Sequence, residues 1–213
     1  MDNKNKNDKG PAAKKEEYAV VLDYLSRGYV KTDMSKFGGK AIAQAIGTEQ
    51  FTLLELAPKN GVDLEIQDLV YIGKGKRDKI YRVLGKLDFE NLTATSRIEL
   101  EYAIRDIVES QEEKFVEFFN TAEALSTRLH KLELIPGIGK KYMWEIIEAR
   151  EEKPFESFED FSQRLPNLAD PAGMIVKRVQ QELDTTTPKR GKNKYNLFTQ
   201  APRPQRRPRK PRK

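Results

Sequence analysis

Short apolar runs separated by clusters of Gly, Pro, Asn and Asp fill the chain from Tyr18 to about residue 87. Runs of this length between turn-forming residues predict β-strands. The predicted strands cover residues 18–25, 41–46, 51–56, 68–72 and 81–87. Five short strands indicate a small antiparallel β-barrel. An OB-like barrel is the best-known architecture of this size, although strand number alone does not distinguish it from other small barrels.

The apolar spacing changes from strand-like to helical at Ala94. Ser96 and Glu99 match a capping box, which predicts that a helix begins here. The apolar positions that follow it share one helix face: Ile98, Ala103, Ile104, Ile107 and Val108. The sequence thus predicts a helical region after the β-barrel.

Four further helices are predicted between residues 121 and 183, arranged as two pairs. Asn120 is the predicted cap of the first, which ends before Pro136 and carries four apolar residues on one face: Ala122, Leu125, Leu129 and Leu132. The second covers residues 140–151 and ends at Pro154. Ser157 and Asp170, the latter followed by Pro171, are predicted to cap the last two.

The most specific motif is the turn between the first two of these helices, Pro136-Gly137-Ile138-Gly139-Lys140-Lys141. Pro136 can end the first helix, and the glycines permit positive φ and close approach of a phosphate. The unpaired amides at the start of the second helix form an anion site, beside which the lysines add positive charge. The alternative is a compact turn with glycine for geometry and lysine for solubility, or one used in protein contacts.

The turn and its flanking helices resemble a helix-hairpin-helix motif, with the hairpin unit at residues 121–152 and a degenerate second unit at 155–184. The tandem form of the motif has a second glycine hairpin, but residues 165–171 contain no glycine and include an acid. We therefore expect the second turn to be structural. The predicted contacts with nucleic acid in the first unit are made by Lys131, Gly137, Ile138, Gly139, Lys140 and Lys141.

A second basic segment, residues 71–81, is predicted to form a β-hairpin with a charged tip. Lys74, Lys76, Arg77 and Lys79 lie at this tip, and Tyr71 and Tyr81 flank it. Positive charge beside aromatic rings is typical of surfaces that bind single-stranded nucleic acid. A solvated hairpin with its tyrosines in the core explains the pattern equally well. The glycines do not match a nucleotide-binding loop, which excludes nucleotide hydrolysis at this segment.

The formal net charge of +6 is unevenly distributed. Residues 189–213 hold eleven Lys or Arg and no acid, residues 1–15 have a net charge of +3, and the rest of the chain has −8. A basic tail on an acidic body favours binding to polyanions, or loose contact with its own domain. Four tail residues join the predicted nucleic-acid contacts: Arg206, Arg207, Arg209 and Lys210. The segment 195–198 is apolar and aromatic, and we expect it to dock on the barrel or on a partner.

Several classes of protein are excluded by composition. The chain has no cysteine and one histidine, so a disulfide framework, a thiolate nucleophile and a Cys- or His-based metal site are excluded. Its acids are scattered at helical spacing, as on a solvated helix face. We therefore predict no catalytic residue, no metal, no cofactor and no small-molecule substrate. The apolar runs are too short to cross a bilayer and the polar N-terminus is unlike a secretory signal, which predicts a cytoplasmic protein.

The order of these segments resembles an archaeal family known as domain of unknown function 655, over about residues 16–183. The resemblance implies an archaeal cytoplasmic protein that binds RNA or nucleotides and is linked to ribosomal RNA, the ribosome or its precursors. It supplies no established activity. The predicted organisation is α+β: a disordered N-terminus (1–15), an OB-like β-barrel (16–93), an all-α domain with the hairpin (94–184) and a disordered basic tail (185–213).

The leading functional prediction is a non-catalytic protein that binds structured RNA through its phosphates. One alternative is an accessory factor for DNA structure or repair, because helix-hairpin-helix motifs commonly bind duplex DNA. Another is a protein-interaction scaffold in which the hairpin packs on a partner and the tail only adds solubility. Competition between RNA and duplex DNA separates the first two, and insensitivity of binding to salt would indicate the third.

Overall fold

A computed structural model of the chain describes residues 15–29, 39–186 and 191–199. It confirms a mixed α and β architecture in which the strands precede the main helices along the chain. Every predicted strand is present within two residues of its predicted bounds. The strands are β1 (Tyr18–Leu25), β2 (Ile42–Gly47), β3 (Leu53–Pro58), β4 (Leu69–Tyr71) and β5 (Ile80–Lys86).

The strands form one curled antiparallel sheet in the order β4-β1-β2-β3-β5. Strands β4 and β5 are therefore the two edges of a half-barrel. The prediction of a β-hairpin over residues 71–81 is wrong, because β4 pairs with β1 and β5 pairs with β3. The intervening basic segment instead connects opposite edges of the sheet.

Both faces of the central strands are covered. All six residues of β2 are buried, as are four consecutive residues of β1 from Ala19 to Leu22. One face forms the small core inside the curl with Leu64 and Val70. The other face packs against the helices in a larger core, so the sheet and the helices are joined by continuous apolar packing.

Helix α1 (Ala94–Ser110) is fixed to the sheet by polar contacts at its start. Its cap is Thr93, whose hydroxyl accepts a hydrogen bond from the Ser96 amide and donates one to Asp23 at 2.6 Å. The Thr93 amide also donates to the buried Gln44 side chain at 2.9 Å. The prediction that Ser96 caps this helix is therefore wrong. The cap is Thr93, one turn earlier, and Ser96 is fully buried within the helix. Ile98, predicted to be buried, is 64% exposed.

The predicted helix from Asn120 to Leu132 is also wrong. Helix α2 (Glu112–Thr121) ends there and is followed by β6 (Ala124–Ser126), β7 (Leu129–His130) and a 3-10 helix (Lys131–Leu134). Asn120 lies near the end of α2, and its side chain exchanges two hydrogen bonds with the Phe155 backbone, at 2.8 and 2.9 Å. The helical spacing was misleading because only two of its four apolar residues, Ala122 and Leu132, are buried.

The remaining helices follow the prediction. They are α3 (Lys140–Glu152), α4 (Phe158–Arg164) and α5 (Pro171–Leu183). Ser157 and Asp170 cap α4 and α5 as expected. In the described residues, every helix is too short or too polar to span a bilayer.

Part of the predicted disordered tail packs on the helices. Residues Gly191–Lys194 form a 3-10 helix, and residues 195–199, which we call the strap, follow it. Leu197 and Phe198 contact the larger core rather than the inner core of the sheet, so the strap docks on the helical part of the molecule. Residues 1–14 and 200–213, with the predicted contacts Arg206, Arg207, Arg209 and Lys210, lie outside the described residues.

Candidate nucleic-acid interface

The hairpin turn before α3 has the geometry that its glycines suggested. Gly137 has a φ of +90°, a conformation that favours glycine. The Ile138 amide donates to the Ile135 carbonyl at 3.1 Å, which closes the turn. Ile138 is 3% exposed and belongs to the larger core. The buried Ile138 side chain therefore fixes the turn to the core, while Gly137 and Gly139 remain exposed.

Helix α3 starts without a side-chain cap. Its N-cap is Gly139, which has no side chain to accept a hydrogen bond. The first intrahelical bond runs from the Met143 amide to the Gly139 carbonyl at 2.9 Å, so the preceding amides project from the helix end. These amides and the helix dipole favour an anion at this position.

Three exposed side chains surround this helix start. Lys140 and Lys141 are the first two residues of α3, and Lys141 lies 3.7 Å from Glu145, with 77% of its side chain exposed. A pair this exposed and this long holds the lysine weakly. Trp144 is the only tryptophan of the chain and is 62% exposed one turn further along. Trp144 was not among the residues predicted from the sequence, although its spacing of four residues from Lys140 places both on one helix face.

A surface groove of about 400 Å³ lies beside the turn. It is lined by the residues from Glu133 to Gly139 and by Gln181 of α5. Glu133 accepts a hydrogen bond from the His130 amide at 2.9 Å, and His130 in turn caps the 3-10 helix. Burial lowers the pKa of His130, which favours a neutral imidazole whose Nδ1 can accept the hydrogen bond from the Leu132 amide. Lys131 is half-buried in the same 3-10 helix.

The basic loop between β4 and β5 folds against Tyr71. A Cβ at Gly73 would lie 2.4 Å from the Tyr71 hydroxyl, so the Tyr71 ring packs against this glycine and would have to move for a larger residue. The Gly75 amide donates to that hydroxyl at 3.1 Å. The Tyr71 ring makes an edge contact with Tyr18, at 5.3 Å between centroids, and Tyr18 is 45% exposed. The tyrosines thus form part of the surface rather than of the core.

The four basic residues of this loop differ in their contacts. Lys79 forms an ion pair with Asp68 at 2.7 Å, and its hydrogen bond lowers the pKa of that carboxyl. The Arg77 side chain donates to the Gly73 carbonyl at 2.9 Å, which stabilises the loop. Lys74 and Lys76 are exposed. Arg77 and Lys79 therefore contact other groups of the protein, whereas Lys74 and Lys76 lie exposed at its surface.

The second helical turn, between α4 and α5, has a different construction. A 3-10 helix (Pro166–Leu168) fills it, and Asp170 accepts a hydrogen bond from the Gly173 amide at 2.8 Å. Asp170 also forms an ion pair with Arg105 of α1 at 3.3 Å. Although burial raises the pKa of Asp170, the bonds from Gly173 and Arg105 outweigh it and lower the pKa. A carboxylate of the chain itself thus occupies the anion site of α5.

The acids do not gather into a metal-binding arrangement in the part of the chain that the structure describes. Some have structural partners instead. Glu112, the first residue of α2, accepts a hydrogen bond from the Phe158 amide at the start of α4.

Comparison with known proteins identifies the family. Residues 15–200 match the family described as "Protein of unknown function (DUF655)". The chain belongs to the DUF655 family. It is 48% identical to "Uncharacterized protein MJ0038" of Methanocaldococcus jannaschii over 191 residues, 89% of this chain and 82% of that protein. Both the family and its archaeal relatives agree with the resemblance drawn from the sequence.

A crystal structure of another family member shares the fold. Af1531 of Archaeoglobus fulgidus is 42% identical and superimposes with a TM-score of 0.77. The match covers 87% of this chain and all of that one. It therefore includes most of the described residues of both the sheet and the helices.

Proposed function

We propose that this protein is a non-catalytic nucleic-acid-binding protein whose hairpin, residues 135–141, works as a helix-hairpin-helix-type phosphate clamp. The observation that supports this most strongly is the start of α3, where projecting amides of an uncapped helix meet two exposed lysines. Backbone amides and lysines bind phosphate without reading sequence. The clamp is therefore expected to recognise the backbone of the nucleic acid.

Structured RNA is the favoured ligand because aromatic groups lie near both basic sites. Trp144 is exposed on α3 one turn from Lys140, and Tyr18 and Tyr71 lie beside the loop that carries Lys74 and Lys76. Unpaired bases stack on exposed rings, and structured RNA presents unpaired bases next to helical phosphates. We propose that the curled sheet offers an OB-like surface for such a strand.

The charge distribution supports a narrow contact on the body and a broad one from the tail. The helical half of the chain, residues 94–188, contains nineteen acids and twelve bases. Such a surface repels polyanions except where bases gather, as at the hairpin. The basic arm, which we define as residues 200–213, carries seven bases and no acid. We propose that the arm supplies most of the charge and the hairpin supplies the defined contact.

The single exposed tryptophan provides a direct test. We would titrate the full chain with an RNA stem-loop and with duplex DNA of equal length while following Trp144 fluorescence and ligand anisotropy over a salt series. A full-length variant with all seven arm bases replaced by glutamine separates the body from the arm. We expect this variant to bind RNA more tightly than DNA, with a shallower salt dependence than the natural chain.

The outcomes separate the hypotheses. A change in Trp144 fluorescence on RNA binding, retained in the arm variant, supports the clamp. Tighter binding of duplex DNA would support the DNA alternative. Loss of all binding when the arm is neutralised, with Trp144 fluorescence unchanged throughout, would overturn the hairpin as a phosphate site.

A protein-interaction scaffold is the second candidate, and the surface of α1 favours it. Ile98 and Tyr102 lie four residues apart on one face and are 64% and 61% exposed. Exposed apolar side chains at this spacing are typical of helix surfaces that contact proteins. Partner binding that is unaffected by salt and by the arm substitutions, but lost in the double variant Ile98→Ser and Tyr102→Ser, would support this function.

A further inference from the structure

The strap is held by a buried ion pair on α5. Arg178 and Glu182 are one turn apart, each with 1% of its side chain exposed, and their charged groups lie 2.8 Å apart. Buried charges are costly unless hydrogen bonds and an opposite charge satisfy them. The strap supplies such bonds, because the amides of Leu197, Phe198 and Thr199 donate to Glu182 at 2.7, 3.0 and 2.9 Å. This arrangement requires one backbone conformation of the strap.

The strap also contacts α2, so it joins two helices. The Phe198 ring lies 5.5 Å from that of Phe115 and 5.0 Å from that of Phe118, measured between ring centroids, with edge-to-face geometry in both cases. Aromatic pairs of this geometry stabilise a contact beyond the burial of their area. The strap therefore holds α2 through an aromatic side chain and α5 through its backbone amides.

Helix α5 contacts the hairpin with the same segment that binds the strap. Gln181 lines the groove beside the turn, and the Met174 sulfur lies 3.8 Å from the position that a Cβ at Gly137 would take. Arg178 follows Met174 by four residues and precedes Gln181 by three, so the three residues lie on one side of α5. A shift of this segment would therefore change both the strap contact and the wall of the groove.

Helix α2 contacts α3, the helix that carries the lysines of the hairpin. The Arg150 side chain, near the end of α3, donates to the Phe119 carbonyl of α2 at 2.9 Å. Lys140 begins the same helix, which has 13 residues and is about 20 Å long. Because a helix is a rigid element, a shift of α2 against α5 would move the start of α3 relative to the groove wall.

We infer that the strap is a latch that positions the phosphate clamp: by joining α2 to α5, it fixes the start of α3 against the side of the groove formed by α5. The inference rests on the proposed function and makes Glu182 and Phe198 positioning residues, which act on the ligand only through the two helices. Substitutions along such connections change the coupling between sites by about 2-fold to 30-fold. Release of the strap should therefore weaken RNA binding without removing any group that contacts the RNA.

The test uses substitutions in the full-length chain with the seven arm bases replaced by glutamine, so that affinity reports on the hairpin. The substitution Phe198→Ala removes the aromatic contact, and Phe198→Tyr keeps the ring. Phe89→Ala is the matched control, because Phe89 is also a half-buried phenylalanine packed against the larger core but lies outside the strap. Thr199→Val is a milder release, since it removes the hydroxyl bond to Glu182 at 3.0 Å and nearly keeps the side-chain shape.

Hydrogen exchange measures the latch without RNA. The strap amides at 197–199 report its release, and the Ile138 amide, whose bond to the Ile135 carbonyl closes the turn, reports on the hairpin. The amides of β2, the central strand, report global unfolding. Affinity for an RNA stem-loop is then measured for each protein through Trp144 fluorescence and ligand anisotropy.

We expect Phe198→Ala to increase exchange at the strap and at Ile138, to leave β2 unchanged and to weaken RNA binding about tenfold. Phe198→Tyr should restore protection and affinity, and Phe89→Ala should change neither. Thr199→Val should act in the same direction with a smaller effect, which keeps the test decisive if Phe198→Ala does not fold.

The latch is overturned if the strap amides exchange freely while Ile138 protection and RNA affinity stay the same. It is also overturned if Phe89→Ala has the same effect or if β2 loses protection in parallel, because the substitution then acts through overall stability. Failure of the proposed function is a separate result. In that case RNA does not change Trp144 fluorescence even in the parent protein, whereas exchange at Ile138 still shows whether the strap fixes the hairpin.

Discussion

The starts of α3 and α5 are two versions of one helix end, and they differ in what lies at the anion site. At α5 the Asp170 carboxylate accepts the Gly173 amide and pairs with Arg105. At α3 the corresponding position is Gly139, with no side-chain acceptor, and two lysines follow. The anion site of α5 is thus occupied by a carboxylate of the protein itself, whereas the anion site of α3 is accessible to a ligand.

This difference explains why one helical turn is a candidate site and the other is structural. A helix end needs negative charge near its amides, either from a side chain or from outside. An internal carboxylate stabilises the fold and excludes phosphate by occupying its position and repelling it. The presence of an acid is therefore as informative about the second turn as the absence of glycine.

The largest expected effect comes from reversing the charge beside the accessible site. We expect the double variant Lys140→Glu and Lys141→Glu to bind the RNA stem-loop about a hundredfold more weakly at low salt in the arm-neutralised background. Reversal changes the local charge by four beside a phosphate contact. The measurement is ligand anisotropy with Trp144 fluorescence.

A matched reversal elsewhere in the helical half is the control. Lys153 is exposed at the opposite end of α3, and Lys114 is exposed on α2, where its side chain donates to the Glu49 carbonyl at 3.1 Å. The double variant Lys153→Glu and Lys114→Glu changes the net charge equally, and we expect it to weaken binding much less. Equal losses from the two double variants would mean that binding depends on overall charge and that the hairpin is not a defined contact.

A smaller effect is expected when α3 is given the cap of α5. No atom lies within 4 Å of a Cβ at Gly139, and its φ of −89° suits any residue, so the Gly139→Asp variant fits without strain. Its carboxylate should cap the α3 amides, stabilise the fold by a few tenths of a kcal/mol and weaken RNA binding about tenfold. Thermal unfolding and the same binding assay measure the two opposite changes.

Two controls separate occupation of the site from steric effects. Gly139→Ala adds the same Cβ without an acceptor, and Gly139→Ser adds a neutral cap. We expect affinity to decrease least for alanine and most for aspartate. If alanine weakens binding as much as aspartate does, any side chain at residue 139 blocks the ligand sterically. The difference in anion sites between α3 and α5 would then not explain RNA binding.

The sequence was most reliable where a pattern has one structural meaning. The five strands were located within two residues because both faces of the central strands are buried, which leaves unbroken apolar runs such as Ala19 to Leu22. The caps Ser157 and Asp170 were identified because a short polar side chain precedes each apolar helix face. The glycine hairpin was found for the same reason, since Gly137 requires the positive φ that only glycine adopts readily.

The sequence was less reliable where tertiary contacts decide the structure. Leu125 and Leu129 matched a helix face but lie in a small β-hairpin, and their partial exposure was not visible in the spacing. Strand pairing was also undetermined, because proximity in sequence suggested that β4 pairs with β5. Residues 195–198 were expected to dock, but the place where they dock could not be predicted, because Glu182 and Arg178 belong to a different element.

The smallest effect on RNA binding is expected from a change at the start of α5. Asp170→Ala removes a cap and should lower the free energy of unfolding by about 1 kcal/mol at neutral pH without changing RNA affinity. Because the pKa of Asp170 is lower in the folded protein than its ordinary value of 3.8, its contribution is present above pH 3.8 and is lost as the pH falls through the folded value. The stability difference between the natural chain and the variant should therefore disappear in strong acid, as measured by denaturant unfolding over a pH series. Asp170→Asn keeps a capping side chain without the charge. We expect this variant to be more stable than Asp170→Ala by an amount that does not change with pH.

A loss of RNA affinity in Asp170→Ala at neutral pH would show that the second turn takes part in binding, and the distinction between the two helix starts would no longer hold.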